Sequence, residues 1–266
     1  MPTSPGSDSP PLQVEDLVIR YGSVVAVDGL SLSVNPGEIY GLLGSNGAGK
    51  SSTIKAVVGL VKPTSGSLRV TGLDPAQHAM EVKGRVGYVP ETPLLYDALS
   101  PREFLEFVGS IRRIEPAALA RRAQEFADAL QITSDMDRPL ATLSNGARQK
   151  VLLMVAFLHL PPLLVLDEPF NNLDPRSVRI MKDLLQSYVR DGRRAALFST
   201  HTVEVAQQLC HRMGILDHGK LTGEGTFPEL KQQAALPDGS LEEVYLTLTS
   251  EQESVTRAVR LLAEEA

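Results

Sequence analysis

Cysteine is nearly absent from this 266-residue chain: Cys210 stands alone, which rules out an internal disulfide. With no second thiol, a cysteine metal site is also disfavoured, and a reducing cytosol is the expected setting. Basic excess is lacking too. Twenty-six Lys and Arg stand against 32 Asp and Glu, a formal net charge of -6. Binding a nucleic-acid backbone leans on surplus Lys and Arg, so nucleic acid is not expected as the main partner. No long apolar run is present either. The greasiest stretch, 151–166, is broken by His159, Pro161 and Pro162 and falls short of the ~20 apolar residues a membrane span requires. Any membrane involvement must come from another chain. The first eleven residues, Met1 to Pro11, have neither a basic start nor an apolar run, which excludes a signal peptide and leaves a disordered leader as the expectation. There is no convincing internal repeat.

What is present is a core-forming chain, 42% apolar, with a legible order of elements. Residues 12–34 are rich in Val, Leu and Ser, and the alternation at 30–34 predicts half-buried strands. After the Asn35-Pro36-Gly37 turn, residues 38–43 read as a strand entering a Gly-rich loop, and 51–60 as the helix behind it. Short strands are expected at 67–71 and 85–89. Ser100, Pro101 and Glu103 carry the signature of a capping box with Pro at the first helical position. Phe104, Phe107, Val108 and Ile111 follow at helical spacing, and 117–130 is a second helical pattern, so 92–144 reads as a helical insertion. Beyond it come an apolar helix at 151–158, strands at 163–166, 195–199 and 213–216, and helices at 175–190 and 203–209. Buried strands alternating with helices predict a largely parallel sheet. The tail ends in 254–266, read as an amphipathic helix.

Gly44, Ser45, Asn46, Gly47, Ala48, Gly49, Lys50 and Ser51, with Ser52 behind them, satisfy Gly-x-x-x-x-Gly-Lys-Ser between a strand and a helix. The glycines let backbone N–H groups close around phosphates. Lys50 reaches the β- and γ-phosphates, Ser51 ligates Mg²⁺, and the helix start adds a positive dipole end. A plain Gly-rich turn would not need Lys-Ser in place. The apolar strand 163–166 then delivers Asp167 and Glu168 at its C-terminal end, where parallel sheets bind ligands. In those roles Asp167 holds Mg²⁺, and Glu168 orients or deprotonates the attacking water. Two adjacent acids can also be an ordinary strand-end pair; the phosphate loop upstream favours the functional reading. A GTPase would want Asn-Lys-x-Asp, and no Asn here is followed by Lys. Instead Leu143-Ser144-Asn145-Gly146-Ala147-Arg148-Gln149 precedes the acidic strand, with Ser144 and the Gly146 amide at a helix start suited to gripping a γ-phosphate.

Taken together, these motifs resemble the ATP-binding cassette (ABC) family, the nucleotide-binding subunits of ABC transporters. Gly44 to Ser51 is similar to its Walker A loop, 143–149 to its signature, Asp167-Glu168 to Walker B, 172–174 to the D-loop and 199–201 to the switch-histidine segment. All occur in family order over about 12–230. The resemblance implies an α/β fold, namely a phosphate-loop NTPase core with a mainly parallel sheet, an N-terminal antiparallel β-subdomain and an inserted α-helical subdomain. It divides the chain into a leader (1–11), an ATP-binding core (12–91 and 145–230), a helical subdomain (92–144) and a helical tail (231–266). It also implies ATP hydrolysis with ATP and Mg²⁺ as cofactors. Tyr21 would stack on adenine, His201 would contact the γ-phosphate, and Asp174 would join the nucleotide site. Ser144, Asn145 and Gly146 would complete the site of a second cassette. A separate transmembrane permease, met through the face from Glu91 to about Ile111, would hold the chain on the inner side of the cell membrane. Three departures stand out, one of them Asn172, at a D-loop position that is often small in the family. Glu91 replaces the family's Gln and remains a candidate Mg²⁺ ligand. Asn145 replaces a Gly and is the residue type that best tolerates a left-handed backbone. Short stretches, Tyr88 to Glu91 and 241–249 among them, resemble ABC-2-type exporters. The alternative is a soluble ABC ATPase with no transport role.

Overall fold

The computed structural model describes residues 9–249. The leader as far as residue 8 and the amphipathic helix expected at 254–266 lie outside the described residues. Pro11, assigned to the leader, is buried, and its carbonyl accepts the Thr71 amide at 2.7 Å, so the end of that segment is anchored to the first sheet.

The strands, in chain order, are β1 (Leu12–Tyr21), β2 (Val24–Val34), β3 (Ile39–Leu43), β4 (Ser65–Val70), β5 (Val86–Val89), β6 (Leu163–Asp167), β7 (Ala195–Thr200), β8 (Arg212–Asp217) and β9 (Lys220–Gly225). The helices are α1 (Lys50–Val57), α2 (Ala79–Arg85), α3 (Pro101–Ile111), α4 (Pro116–Ala129), α5 (Asn145–Phe157), α6 (Pro175–Val189), α7 (Val203–Leu209), α8 (Phe227–Gln233) and α9 (Leu241–Leu248). One sheet is antiparallel, in the order β2-β1-β4. The other, β5-β6-β7-β3-β8-β9, is parallel except for its last strand.

Every residue of β3, β6 and β7 is buried, as expected of parallel strands covered on both faces. Period two sends alternate side chains to opposite layers. Leu164, Leu166, Ala196 and Phe198 join one core with Phe104, Leu105 and Leu140 of the helical segment. Leu163, Val165, Ala195 and Leu197 join another with Leu12, Leu17 and Leu32 of the antiparallel sheet and Ile54 and Val57 of α1. The helical insertion thus shares its core with the sheet. A third cluster, with Leu43, Ile215, Leu230, Leu241 and Val244, closes the β8 end under the tail helices. Parallel register aligns Leu43 with Thr200 and Asp167 with Ser199. The exits of β3, β6 and β7 therefore share one edge, where crevices in such sheets form.

The α3 capping box forms as expected: the Ser100 amide donates to Glu103 Oε2 at 2.8 Å and the Glu103 amide to Ser100 Oγ at 3.3 Å. Other elements differ from the sequence reading. Helix α5 begins at Asn145, ahead of the apolar run, because Ser144 caps it by accepting the Ala147 amide at 3.2 Å. Helix α2 and strand β9 were not anticipated. Strand β9 contains Gly223 and Gly225, poor strand formers that only pairing with β8 makes extended. The tail holds two short helices whose capping boxes, Thr226 with Glu229 and Ser240 with Glu243, are visible in sequence.

Candidate functional site

The loop from Gly44 to Gly49 leaves β3 and ends at the start of α1, whose cap residue Gly49 supplies no side-chain hydrogen bond. Its first N–H groups therefore have no side-chain cap, which suits them to anionic oxygens. Glycine is required at position 49. Its φ is +108°, and a Cβ there would stand 2.4 Å from the Ala26 carbonyl oxygen. Lys50 is buried, and its ammonium donates to the Gly44 carbonyl at 2.7 Å and the Ser45 carbonyl at 3.1 Å. A cavity of about 230 Å³ lies over this loop, lined by Ser45, Gly47, Lys50, Ser51, Glu91 and Glu168 among others, including Asn46 and Ser52.

The two acids emerge from β6 beneath it. Ser51 Oγ donates to Asp167 Oδ1 at 3.2 Å. Glu168, 6% exposed, lies 3.7 Å from the Lys50 ammonium and 2.9 Å from His201 Nδ1. One carboxylate thus meets a fixed cation and an imidazole whose side chain is half exposed. Ser199, which the sequence reading treats only as part of its segment, is fully buried and lies between the acids. Its hydroxyl donates to Asp167 Oδ1 at 2.5 Å and accepts the Glu168 amide at 3.0 Å. No local motif marks such a residue, because the partners lie 31 and 32 positions upstream. Burial, then the charges of Asp167 and Glu91, pushes the Tyr88 phenol up to about 12. Tyr88 is therefore neutral at physiological pH.

Ser144, Asn145, Gly146 and Asp174 do not line the cavity. Ser144, Asn145 and Asp174 are exposed and Gly146 is half-buried. Ser144, Asn145 and Gly146 form a second group at the start of α5, and Lys150 of the same helix ties it to Asp174. A Cβ on Gly146 would lie 2.6 Å from the Asn172 carbonyl oxygen. Gln149 Nε2 donates to the Pro169 carbonyl at 3.2 Å, and Lys150 lies 3.0 Å from Asp174. Asp174 caps α6, and the Ser177 hydroxyl and amide, with Lys150, hold its carboxyl well below the usual carboxylate range. The left-handed tolerance expected to matter at Asn145 is used elsewhere: Asn145 is the first residue of α5, while Asn172 has φ +62° and Glu168 φ +48°. Tyr21 ends β1 opposite Val24, 46% exposed, and does not line the cavity.

The Gly146 contact has a measurable consequence. Helix propensity alone makes Gly→Ala stabilising by about 1 kcal/mol. Forced separation of α5 from Asn172 costs about 1–3 kcal/mol. Gly146→Ala is therefore expected to lower the melting temperature, and an unchanged or higher one shows that the close approach constrains nothing.

The chain matches known proteins along nearly its whole length. Residues 27–171 match the model of the ABC transporter family. The ABC-type transporter ATP-binding protein EcsA of Bacillus subtilis is 33% identical over 90% of this chain and 97% of its own. The Nod factor export ATP-binding protein I of Ralstonia nicotianae is 34% identical over 86% of this chain and 71% of its own. A solved ATP-binding subunit of an ABC transporter superposes with a TM-score of 0.85 at 32% identity, covering 90% of this chain and 99% of that one. With a phosphate loop, two acids and a histidine gathered at one sheet edge, and similarity to ATP-binding subunits over nine-tenths of its length, this chain belongs to the ABC transporter family as an ATP-binding, ATP-hydrolysing subunit.

Proposed function

We propose that this chain is one of two cassettes that close on ATP to drive a membrane permease, working in export. The observation that carries the reading is the division of its motifs. The phosphate loop, Lys50 and Glu168 meet at one cavity, while Ser144 and Asn145 stand exposed away from it. In this reading each chain contributes Gly44 to Ser52 to its own ATP, and Ser144, Asn145 and Gly146 to its partner's, with Asp174 beside the seam. Tyr21 stacks on the adenine. The donors fit Mg²⁺: Ser51 hydroxyl and buried Asp167 carboxylate are hard oxygens, with Glu91 on the cavity lip. No cluster of three or more His, Cys, Asp or Glu that would cage a metal occurs among the described residues, in keeping with a cation that keeps waters and phosphate oxygens as ligands.

Bound there, Mg²⁺ would neutralise charge developing on the phosphates. Lys50 supplies a second, fixed positive charge without reorganisation. Glu168 orients the water in line with the γ-phosphate and accepts its proton, and His201, touching Glu168, contacts the γ-phosphate.

Export is carried over from the similarity to the Nod factor export ATP-binding protein of Ralstonia nicotianae. No helix among the described residues is long and apolar enough to cross a membrane; in this reading the chain is held at the membrane surface by a separate permease. Its docking face is Leu94, Tyr96, Phe107 and Ile111, all exposed, with Tyr96 packed edge-on to Phe107 at 5.6 Å. Such a patch beside the Glu91 loop fits a partner helix better than solvent. In the producing cells the full chain is expected to sediment with membranes. Tyr96→Glu combined with Phe107→Glu should release it to the soluble fraction while its affinity for a fluorescent ATP analogue stays within twofold. Equal membrane association of the two forms would count against this docking face.

A further inference from the structure

Ser199 lies where chance would rarely put a serine. It stands near the exit of the central strand β7, opposite Asp167 in the parallel register, with no exposed surface. The four positions before it on β7, Ala195, Ala196, Leu197 and Phe198, are all apolar, and Thr200 follows it. A hydroxyl set into such a strand costs free energy unless it is hydrogen-bonded, and this one uses both of its capacities on the two acids. Its proton goes to Asp167 Oδ1 at 2.5 Å, and its lone pair takes the Glu168 amide at 3.0 Å.

Each contact controls something the chemistry needs. Asp167 Oδ1 also accepts from Ser51 Oγ at 3.2 Å, so two hydroxyls, one from α1 and one from β7, converge on one oxygen of that carboxylate. Glu168 has φ +48°, a left-handed conformation that a non-glycine residue keeps only where its surroundings hold it. The Ser199 hydroxyl holds the amide at that bend. Two residues on, His201 reaches the Glu168 carboxylate at 2.9 Å. The exit of β7 thus grips Glu168 by backbone and by side chain together. We propose that Ser199 is a positioning residue for hydrolysis, its hydroxyl setting the geometry of the metal-binding acid and the water-orienting acid at once. The proposal rests on those assignments of Asp167 and Glu168.

A purely structural hydroxyl would affect only stability. A positioning one changes turnover and metal dependence in the folded protein. In the full chain, Ser199→Ala is expected to bind the fluorescent ATP analogue within twofold of wild type. Its kcat should fall about 10- to 100-fold, as displacements near 1 Å do, and the Mg²⁺ concentration giving half-maximal activity should rise at least about fivefold, the shift expected if Asp167 loses its fixed orientation. Ser199→Thr keeps the hydroxyl and should restore most of both. If Ser199→Ala does not fold, Ser199→Cys keeps the volume with only a weak donor and acceptor and carries the same expectation. The idea is overturned if the folded Ala or Cys variant keeps kcat and Mg²⁺ dependence within twofold, or if Thr is as impaired as Ala. Glu168→Gln assayed alongside separates the two levels of failure. Normal turnover in that variant removes the assignment of the acid, whereas an inactive Glu168→Gln beside a normal Ser199→Ala removes the role of Ser199 alone.

Discussion

Glu168→Gln is expected to bind ATP as wild type does and to lose about 10²- to 10⁴-fold in turnover, the span covered by a positioned general base. The substitution is nearly isosteric, so the left-handed bend and the Ser199 contact to the Glu168 amide persist. Lys50 keeps its two carbonyl partners at 2.7 and 3.1 Å, so the phosphate cradle survives the loss of its 3.7 Å neighbour. What goes, in the proposed mechanism, is the anionic oxygen that draws a proton from water. With Mg²⁺ and ATP, the variant should accumulate as a dimer in light scattering, because closure on ATP proceeds and hydrolysis does not reopen it. Steady-state ATPase within threefold of wild type would refute the assignment of Glu168. A variant that stays monomeric at saturating ATP would instead refute the paired-cassette arrangement.

Lys50→Ala acts one step earlier. The ammonium is the fixed positive charge at the cavity floor, and a hydrogen bond to a charged group contributes about 1.5–3 kcal/mol. Losing contacts to two phosphates should weaken ATP binding by about 100-fold or more. The same lysine is buried beside Glu168, and breaking a buried pair from one side destabilises by about 3–5 kcal/mol. Lys50→Met, which keeps the apolar stem, is therefore the companion variant, with circular dichroism confirming the fold. Titration of either folded variant with the fluorescent analogue decides the matter; affinity within tenfold of wild type would mean that Lys50 is not the phosphate ligand.

Much of the site was legible because it is contiguous in the chain. A glycine loop between strand and helix, two acids after an apolar strand and a serine-capped helix are each read within a few residues, and all are present in the fold. The Ser100 box and Pro101 set the start of α3 by local chemistry, and the structure keeps both. Misreadings arose where long-range contact overrides local preference. Strand β9 is extended only because β8 offers it partners. The tolerance for left-handed backbone expected at Asn145 is exercised by Asn172, where the chain bends between Glu168 and the cap of α6. Helix α8 straddles the boundary drawn at 231 and α9 lies beyond it, and both starts carry capping boxes that are local in the sequence.

The sequence by itself determined which groups are at hand: a glycine loop ending in Lys50 and Ser51, and two adjacent acids after an apolar strand, in an α/β chain with no apolar run long enough to span a membrane. Each of those properties depends on neighbours in sequence or on composition. Tertiary structure alone decided which groups meet. The parallel register sets Ser199 against Asp167 across 32 residues. The shared strand edge brings Lys50 and His201 to one carboxylate, and α5 closes on Asn172 with room only for a glycine. Such encounters depend on strand order and crossover packing, which are set by burying both faces of the central sheet at once, and no single stretch of the chain encodes them.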